Sequence, residues 1–461
     1  MRHWFTSPRT AGCAAAATVL ALTLAACGGS GGSGSNTIKV AYEKFGTFVQ
    51  ADQLMKQVKS EFEKQHPGTK VELIPIQAAE NDYYTKLGLM NRAPTTAPDV
   101  MYEDTFLINS DIQAGYLKPL DSYLAKWPDW SQFYPTAKQA ARGVDGKIYG
   151  VPMGTDTRAL WYNKQIFAKA GLTVPWKPKN WNDVLSAART IKANVPGVIP
   201  LQIYSGKPAG EASTMQGFEM LLYGTGNTLY DKQSKKWVAP SKGFTDAQNF
   251  VKTVYQDKLG PTPQQELDPN IPAVVQSQWQ PQGKLAIDLD GSWLPGTWIK
   301  GGSHPWSQWS KVLGETPMPT ENGQAPGAVS MSGGWTLAVG SRSANPGLAM
   351  KFVELALNKQ HSVDYDIAAS QIAVRKDVAA DPQYKKSNPT VGFFTGLVKV
   401  TNFRPALPVY PRVSDQIQVA MEQVMTGQAS PQQATSTYAS SVRGIVGGNK
   451  IEPGSHESTS G

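Results

Sequence analysis

The sequence is poor in cysteine, histidine and charge, and each shortage removes a class of function. Its 461 residues include two cysteines, Cys13 and Cys27, both close to the start. The body beyond them can form no disulfide, so its core must suffice alone. The five histidines, at positions 3, 66, 304, 361 and 456, are too scattered for His-x-Glu or His-Glu-x-x-His metal geometry. Neither a Gly-x-Ser-x-Gly elbow nor a Gly-x-x-x-x-Gly-Lys-Ser/Thr phosphate loop occurs. Asp288-Leu289-Asp290-Gly291 starts like a calcium loop, but the twelfth position is Ile299, which cannot ligate. No metal and no cofactor are therefore expected. Charged residues make up 17%, and the formal charge of +8 is spread thinly, in runs no longer than pairs such as Lys235-Lys236 and Lys385-Lys386. A nucleic-acid partner would require that charge on one face or stripe, so none is expected. No stretch approaches the roughly 18 apolar residues of a membrane span.

What the N-terminus does contain is a leader pattern. Arg2 and Arg9 form a basic region, and Ala11 to Leu24 form an apolar segment too short to span a bilayer comfortably. It closes on Leu24-Ala25-Ala26-Cys27, which resembles a bacterial lipobox. In that reading residues 1–26 are a lipoprotein signal peptide, and the sulfur of Cys27 carries a diacylglycerol. The Gly/Ser run Gly28 to Ser35 cannot build a core and makes 27–36 a tether, with an r.m.s. reach of about 15 Å. The expected location is the extracellular face of the cytoplasmic membrane, through a lipid anchor.

The remaining length exceeds what one core normally serves, so two lobes are expected. Ile38 to Tyr42 alternates like a strand. Leu54, Val58 and Phe62, with Met55 beside them, form one helical stripe stopped by Pro67-Gly68. A strand at Lys70 to Ile76, a helix around Tyr83 to Met90 and a strand at Asp99 to Tyr102 follow. Strand, helix, strand, helix, strand indicates a parallel sheet with helices on its faces, an α/β class. Ligands of such sheets bind beyond the carboxyl ends of the strands, which points to Glu43 and to Glu103-Asp104. Neighbours in an extended strand face opposite ways, so only one of Glu103 and Asp104 should face a cleft.

Several motifs occur in a recognisable order. Ala97-Pro98-Asp99-Val100, Gly115-Tyr116-Leu117-Lys118-Pro119-Leu120-Asp121 and Asp145-Gly146-Lys147-Ile148-Tyr149-Gly150-Val151-Pro152 come first. Leu160-Trp161-Tyr162-Asn163-Lys164, Asn180-Trp181-Asn182-Asp183, Gly283-Lys284-Leu285-Ala286, Gly291-Ser292-Trp293 and Gly333-Gly334-Trp335 follow, then Asn345-Pro346 through Phe352. Together, across Ile38 to Arg375, they resemble the extracellular solute-binding proteins of ABC sugar importers, and most nearly the maltodextrin and oligosaccharide binders.

The resemblance implies a periplasmic-binding-protein-like fold, with two α/β lobes joined by a multi-segment hinge and a ligand cleft between them. It places the N-lobe at 37–155 and 310–359 and the C-lobe at 156–309 and 360–455. The polar end of the chain, with its Gly and Ser, is expected to be a disordered tail at 456–461. The resemblance also implies a monomer that binds a small oligosaccharide and delivers it to permease subunits served by a cytoplasmic ATPase. The residues support a sugar independently. Thirteen tryptophans and seventeen tyrosines offer flat faces for pyranose C–H groups, while sugar hydroxyls need carboxylates, amides and arginine. Trp293 and Trp335 follow glycines where the family stacks its sugar, with Gly334 adjoining, and Trp279 is a further candidate. Trp127, Trp130, Trp176 and Trp181 are expected in the framework. Asp156 and Arg158 lie in the first expected hinge, and Arg404 in a late loop sent into the cleft. The rival classes are a lipid-anchored glycoside hydrolase, which needs only two suitably spaced carboxylates, and a binder of a non-sugar solute on the same fold.

Overall fold

The computed structural model describes residues 36–454. The leader at 1–26, Cys27, nearly all of the tether at 27–36 and the tail at 456–461 lie outside the described residues.

The alternation at the start becomes β1 (Thr37–Lys44), and the apolar stripe becomes α1 (Gln50–Gln65). Leu54, Met55, Val58 and Phe62 are buried on it, each burial being favourable by about 1.5–3 kcal/mol. Phe62 meets Phe352 of helix Pro346–Ala356 edge-on, with ring centroids 5.5 Å apart. Next come β2 (Lys70–Gln77), α2 (Glu80–Asn91), β3 (Val100–Asp104) and α3 (Ile108–Gln113). β1 pairs in parallel with both β2 and β3, as expected from the alternation of strands and helices. Strand Trp335–Val339 then runs antiparallel to β3 and to β4 (Gly150–Pro152), so the five-stranded sheet is mixed.

A second sheet builds the second lobe. β5 (Arg158–Asn163) lies between strands Leu313–Thr316 and Leu285–Gly291, both antiparallel to it, and β6 (Ile199–Gln202) extends the sheet in parallel. Every residue of Leu285–Gly291 is buried, because helices cover the sheet and leave no solvated face. Leu160, Ile287 and Leu289 join a core with residues of helices Trp181–Asn194, Lys242–Gln256 and Tyr410–Met425.

The crossings fall partly elsewhere than the family resemblance implied. The first, between β4 and β5, contains Asp156 as expected. Residues 313–316, assigned to the N-lobe, extend the second sheet through pairing with β5. The return runs instead through Ser332 to Trp335, where two strands of different sheets adjoin. Helix Lys359–Ala368 stays with the first lobe, since Tyr365 and Ala369 pack into its core. Ile372, Phe394 and Leu397 beyond it pack with Trp161 and Trp298 and carry the chain back to the second lobe. Gly334 sits where the crossings touch: its φ is +145°, and a Cβ there would lie 2.6 Å from the carbonyl oxygen of Gly154. Among the described residues, no helix is long and apolar enough to cross a membrane.

Candidate functional site

The lobes meet around a cavity of about 160 Å³. Thr47 donates to Gln276 Oε1 at 2.5 Å and Gln50 to the carbonyl of Gly296 at 2.7 Å on one side, while Asn109 donates to the carbonyl of Ala406 at 3.1 Å on another. Glu43 is the last residue but one of β1, α2 begins on Glu80, and β3 contributes Tyr102 and Asp104, all lining the cavity. Trp335 opens the neighbouring strand and stacks on Tyr102, with centroids 4.2 Å apart and planes 7° from parallel. Since residues i and i+2 share a face, the same alternation that aims Asp104 inward aims Tyr102 with it. Glu103 points the other way, is fully buried, and is absent from the cavity wall. Burial, and after it the nearby Asp111 and Asp104, hold its carboxyl well above the ordinary range.

From the first crossing come Asp156 and Arg158, which form an ion pair. Asp156 also accepts from the amide of Gly333 at 2.9 Å. Arg158 donates to Gln216 Oε1 and to the carbonyl of Met331, both at 3.1 Å, and its guanidinium lies 4.8 Å from the Trp293 ring centroid. From the second lobe come Glu211, Asp290, Trp293 and Arg404. Arg404 joins the lobes: one nitrogen is 2.6 Å from Asp104 Oδ1 and the other 3.0 Å from Glu211 Oε2. Its guanidinium lies 4.5 Å from the Phe106 ring centroid. Glu211 is held in turn by the hydroxyl of Ser414.

Eight of the ten expected binding residues thus line one cavity: Glu43, Asp104, Asp156, Arg158, Trp293, Gly334, Trp335 and Arg404. Glu103 and Trp279 do not. Trp279 is buried with Tyr204 and Leu285 beneath the second sheet, where its area stabilises the core. Glu80, Tyr102, Glu211, Gln216 and Asp290 also line the cavity and were not among the expected binding residues. Tyr102 was readable from strand alternation, and Asp290 from its place before Gly291 at a strand end. Glu211 has no local signal, because only the folded chain brings it to Arg404.

The cavity is rich in carboxylates under strain from burial. Glu43 is buried, and burial followed by Glu80 and Asp104 raises it well above the usual range. Glu80 is pushed up to about 7, by burial first and Asp104 second. Asp290 rises to about 6, chiefly by burial, although it accepts from the Tyr204 hydroxyl at 3.0 Å and the Gly291 amide at 2.7 Å. Such a wall offers acceptors, shared protons and aromatic faces. Among the described residues no group of His, Cys, Asp and Glu is arranged to hold a metal ion.

Comparison with known proteins shows the family and the fold. The pattern of the bacterial extracellular solute-binding proteins matches residues 46–361. The chain is 24% identical over 439 residues to the galactooligosaccharide-binding protein of Bacillus subtilis, covering 93% of this chain and 95% of that one. It is 22% identical over 454 residues to the maltodextrin-binding protein MdxE of the same organism, covering 94% and 95%. Among solved structures, the GacH receptor of Streptomyces glaucescens, determined unliganded and with acarbose, superposes with a TM-score of 0.75 at 25% identity, covering 88% of this chain and 98% of that one. A solute-binding protein of Thermotoga lettingae bound to α-D-tagatose gives 0.76 at 23%, covering 89% and 100%.

Proposed function

Because the chain belongs to the bacterial extracellular solute-binding proteins, we propose that it captures a short saccharide outside the cell and delivers it to the permeases of an ABC importer. The observation that carries this reading is the cavity between the lobes, which sets Trp335 with Tyr102 and Trp293 among carboxylates and two arginines. Aromatic faces suit the C–H side of a pyranose, and the polar wall suits its hydroxyls. A cavity of about 160 Å³ is near the size that takes one six-membered ring, which favours one sugar unit enclosed between the lobes. Contacts with both lobes supply the differential affinity that favours closure, the form a permease would read.

Cys27 is the lipid attachment site in this reading, and Cys27→Ser yields a protein that binds sugar but no longer fractionates with membranes. Persistent membrane association of that variant contradicts the anchor. A thermal-shift screen of mono-, di- and trisaccharides tests the binding itself. A ligand at 100 times its dissociation constant should stabilise by about 2.7 kcal/mol. Failure of every saccharide to raise the melting temperature would remove sugar from the account. Conversion of the best ligand by purified protein would favour a hydrolase.

A further inference from the structure

We infer that the saccharide carries a protonated amine, held at the corner of the cavity formed by Glu43 and Glu80. The inference rests on the sugar-binding reading above and narrows its ligand class.

The cavity wall carries six carboxylates, of Glu43, Glu80, Asp104, Asp156, Glu211 and Asp290, and two guanidiniums, of Arg158 and Arg404. Both guanidiniums are committed: Arg158 to Asp156, and Arg404 to Asp104 and Glu211. No other cationic side chain lines the cavity among the described residues. At the β1 corner the protein offers little to the remaining charge. The Tyr84 hydroxyl, which has one proton to donate, lies 2.5 Å from Glu80 Oε1 and 3.2 Å from Asp104 Oδ2. Glu43 is only 5% exposed, lines the cavity, and among the described residues its Oε1 has no hydrogen-bond partner.

A buried carboxylate without a partner is costly, and neighbouring like charges raise that cost. Burial and mutual repulsion favour the protonated forms of Glu43 and Glu80 in the empty protein, and a neutral sugar hydroxyl leaves that balance unchanged. An ammonium donates several hydrogen bonds and, by its charge, favours both groups as carboxylates that accept them. Tyr102 and Trp335 line the cavity with Glu43 and Glu80, and their π-faces favour a cation over a neutral group.

The test is calorimetry at about pH 7 with matched probes: glucose, galactose, maltose and cellobiose, each beside its amino-sugar counterpart and the N-acetylated form. The amine should bind at least about tenfold tighter than the neutral and acetylated partners. Glu43→Gln should collapse that ratio to near unity while the empty protein still melts cooperatively, and Glu80→Gln should reduce it in the same sense. Neutral sugars binding as tightly as their amines would overturn the inference and leave the sugar reading standing. An amine preference that survives both substitutions would overturn the assignment to this corner. Binding of none of the probes would overturn both the inference and the reading beneath it.

Discussion

At the crossing end of the cavity Asp156 meets Arg158, and Asp104 and Glu211 share Arg404, each guanidinium also lying over an aromatic ring. At the β1 end Glu43 is buried with an unpartnered Oε1, and half-buried Glu80 has only the Tyr84 hydroxyl, which Asp104 shares. The first arrangement spends its charge inside the protein, so its arginines brace the lobes and leave few donors for a ligand. The second leaves acceptors waiting. A residue can therefore line a binding cavity for two different reasons, and its partners distinguish them: a satisfied group holds the walls, and an unsatisfied one holds what enters.

That contrast can be broken most forcefully at Arg404. Arg404→Ala leaves Asp104 and Glu211 buried without their cation and should cost about 3–5 kcal/mol of stability. Urea unfolding of the empty protein checks it, and an unchanged midpoint would mean that the bridge is not a brace. Glu43→Gln, which removes an unpartnered carboxylate, should leave that midpoint unchanged or higher. The tryptophans sharpen the comparison, one at the same scale in stability and one at a smaller scale in binding. Trp279→Ala should lose about 3–5 kcal/mol as core area while keeping sugar affinity. Trp293→Ala should lose about 1–3 kcal/mol of binding, the scale of one ring stacked on an aromatic, with a smaller change in melting. The reverse pattern would exchange their roles.

The smallest expected effect is one of pH. Glu80 keeps its proton up to about 7 in the folded protein, against an ordinary value of 4.5. The folded state thus binds more protons than the unfolded chain between those values, and stability from this group is present below about 4.5 and declines as pH rises through 7. Melting temperature of the empty protein followed across that window should fall less steeply in Glu80→Gln. An identical slope would place Glu80 outside the titration.

Local pattern made the first half of the fold legible. Period-two alternation found β1, the i, i+4 stripe found α1, and their alternation gave the parallel pairing of β1 with β2 and β3. The site was legible where it sits at strand ends, as with Glu43, Asp104 and Trp335. Sequence could say that only one of Glu103 and Asp104 faces the cleft, and only the folded structure places Asp104 there. It could not show that strand Leu313–Thr316 would pair with β5, because strand pairing across 150 residues leaves no local signal. Trp279 and Trp293 look alike in composition; burial under the second sheet separates them only after folding.

Calorimetric titration of Trp335→Ala beside the unaltered protein, with the saccharide that raises the melting temperature most, tests the central claim most directly. The account predicts one binding site in the unaltered protein and an affinity weakened by about ten- to a hundredfold in the variant, whose empty form still melts cooperatively. Equal affinity in the two proteins would contradict it, because the saccharide would then bind somewhere other than the cavity between the lobes.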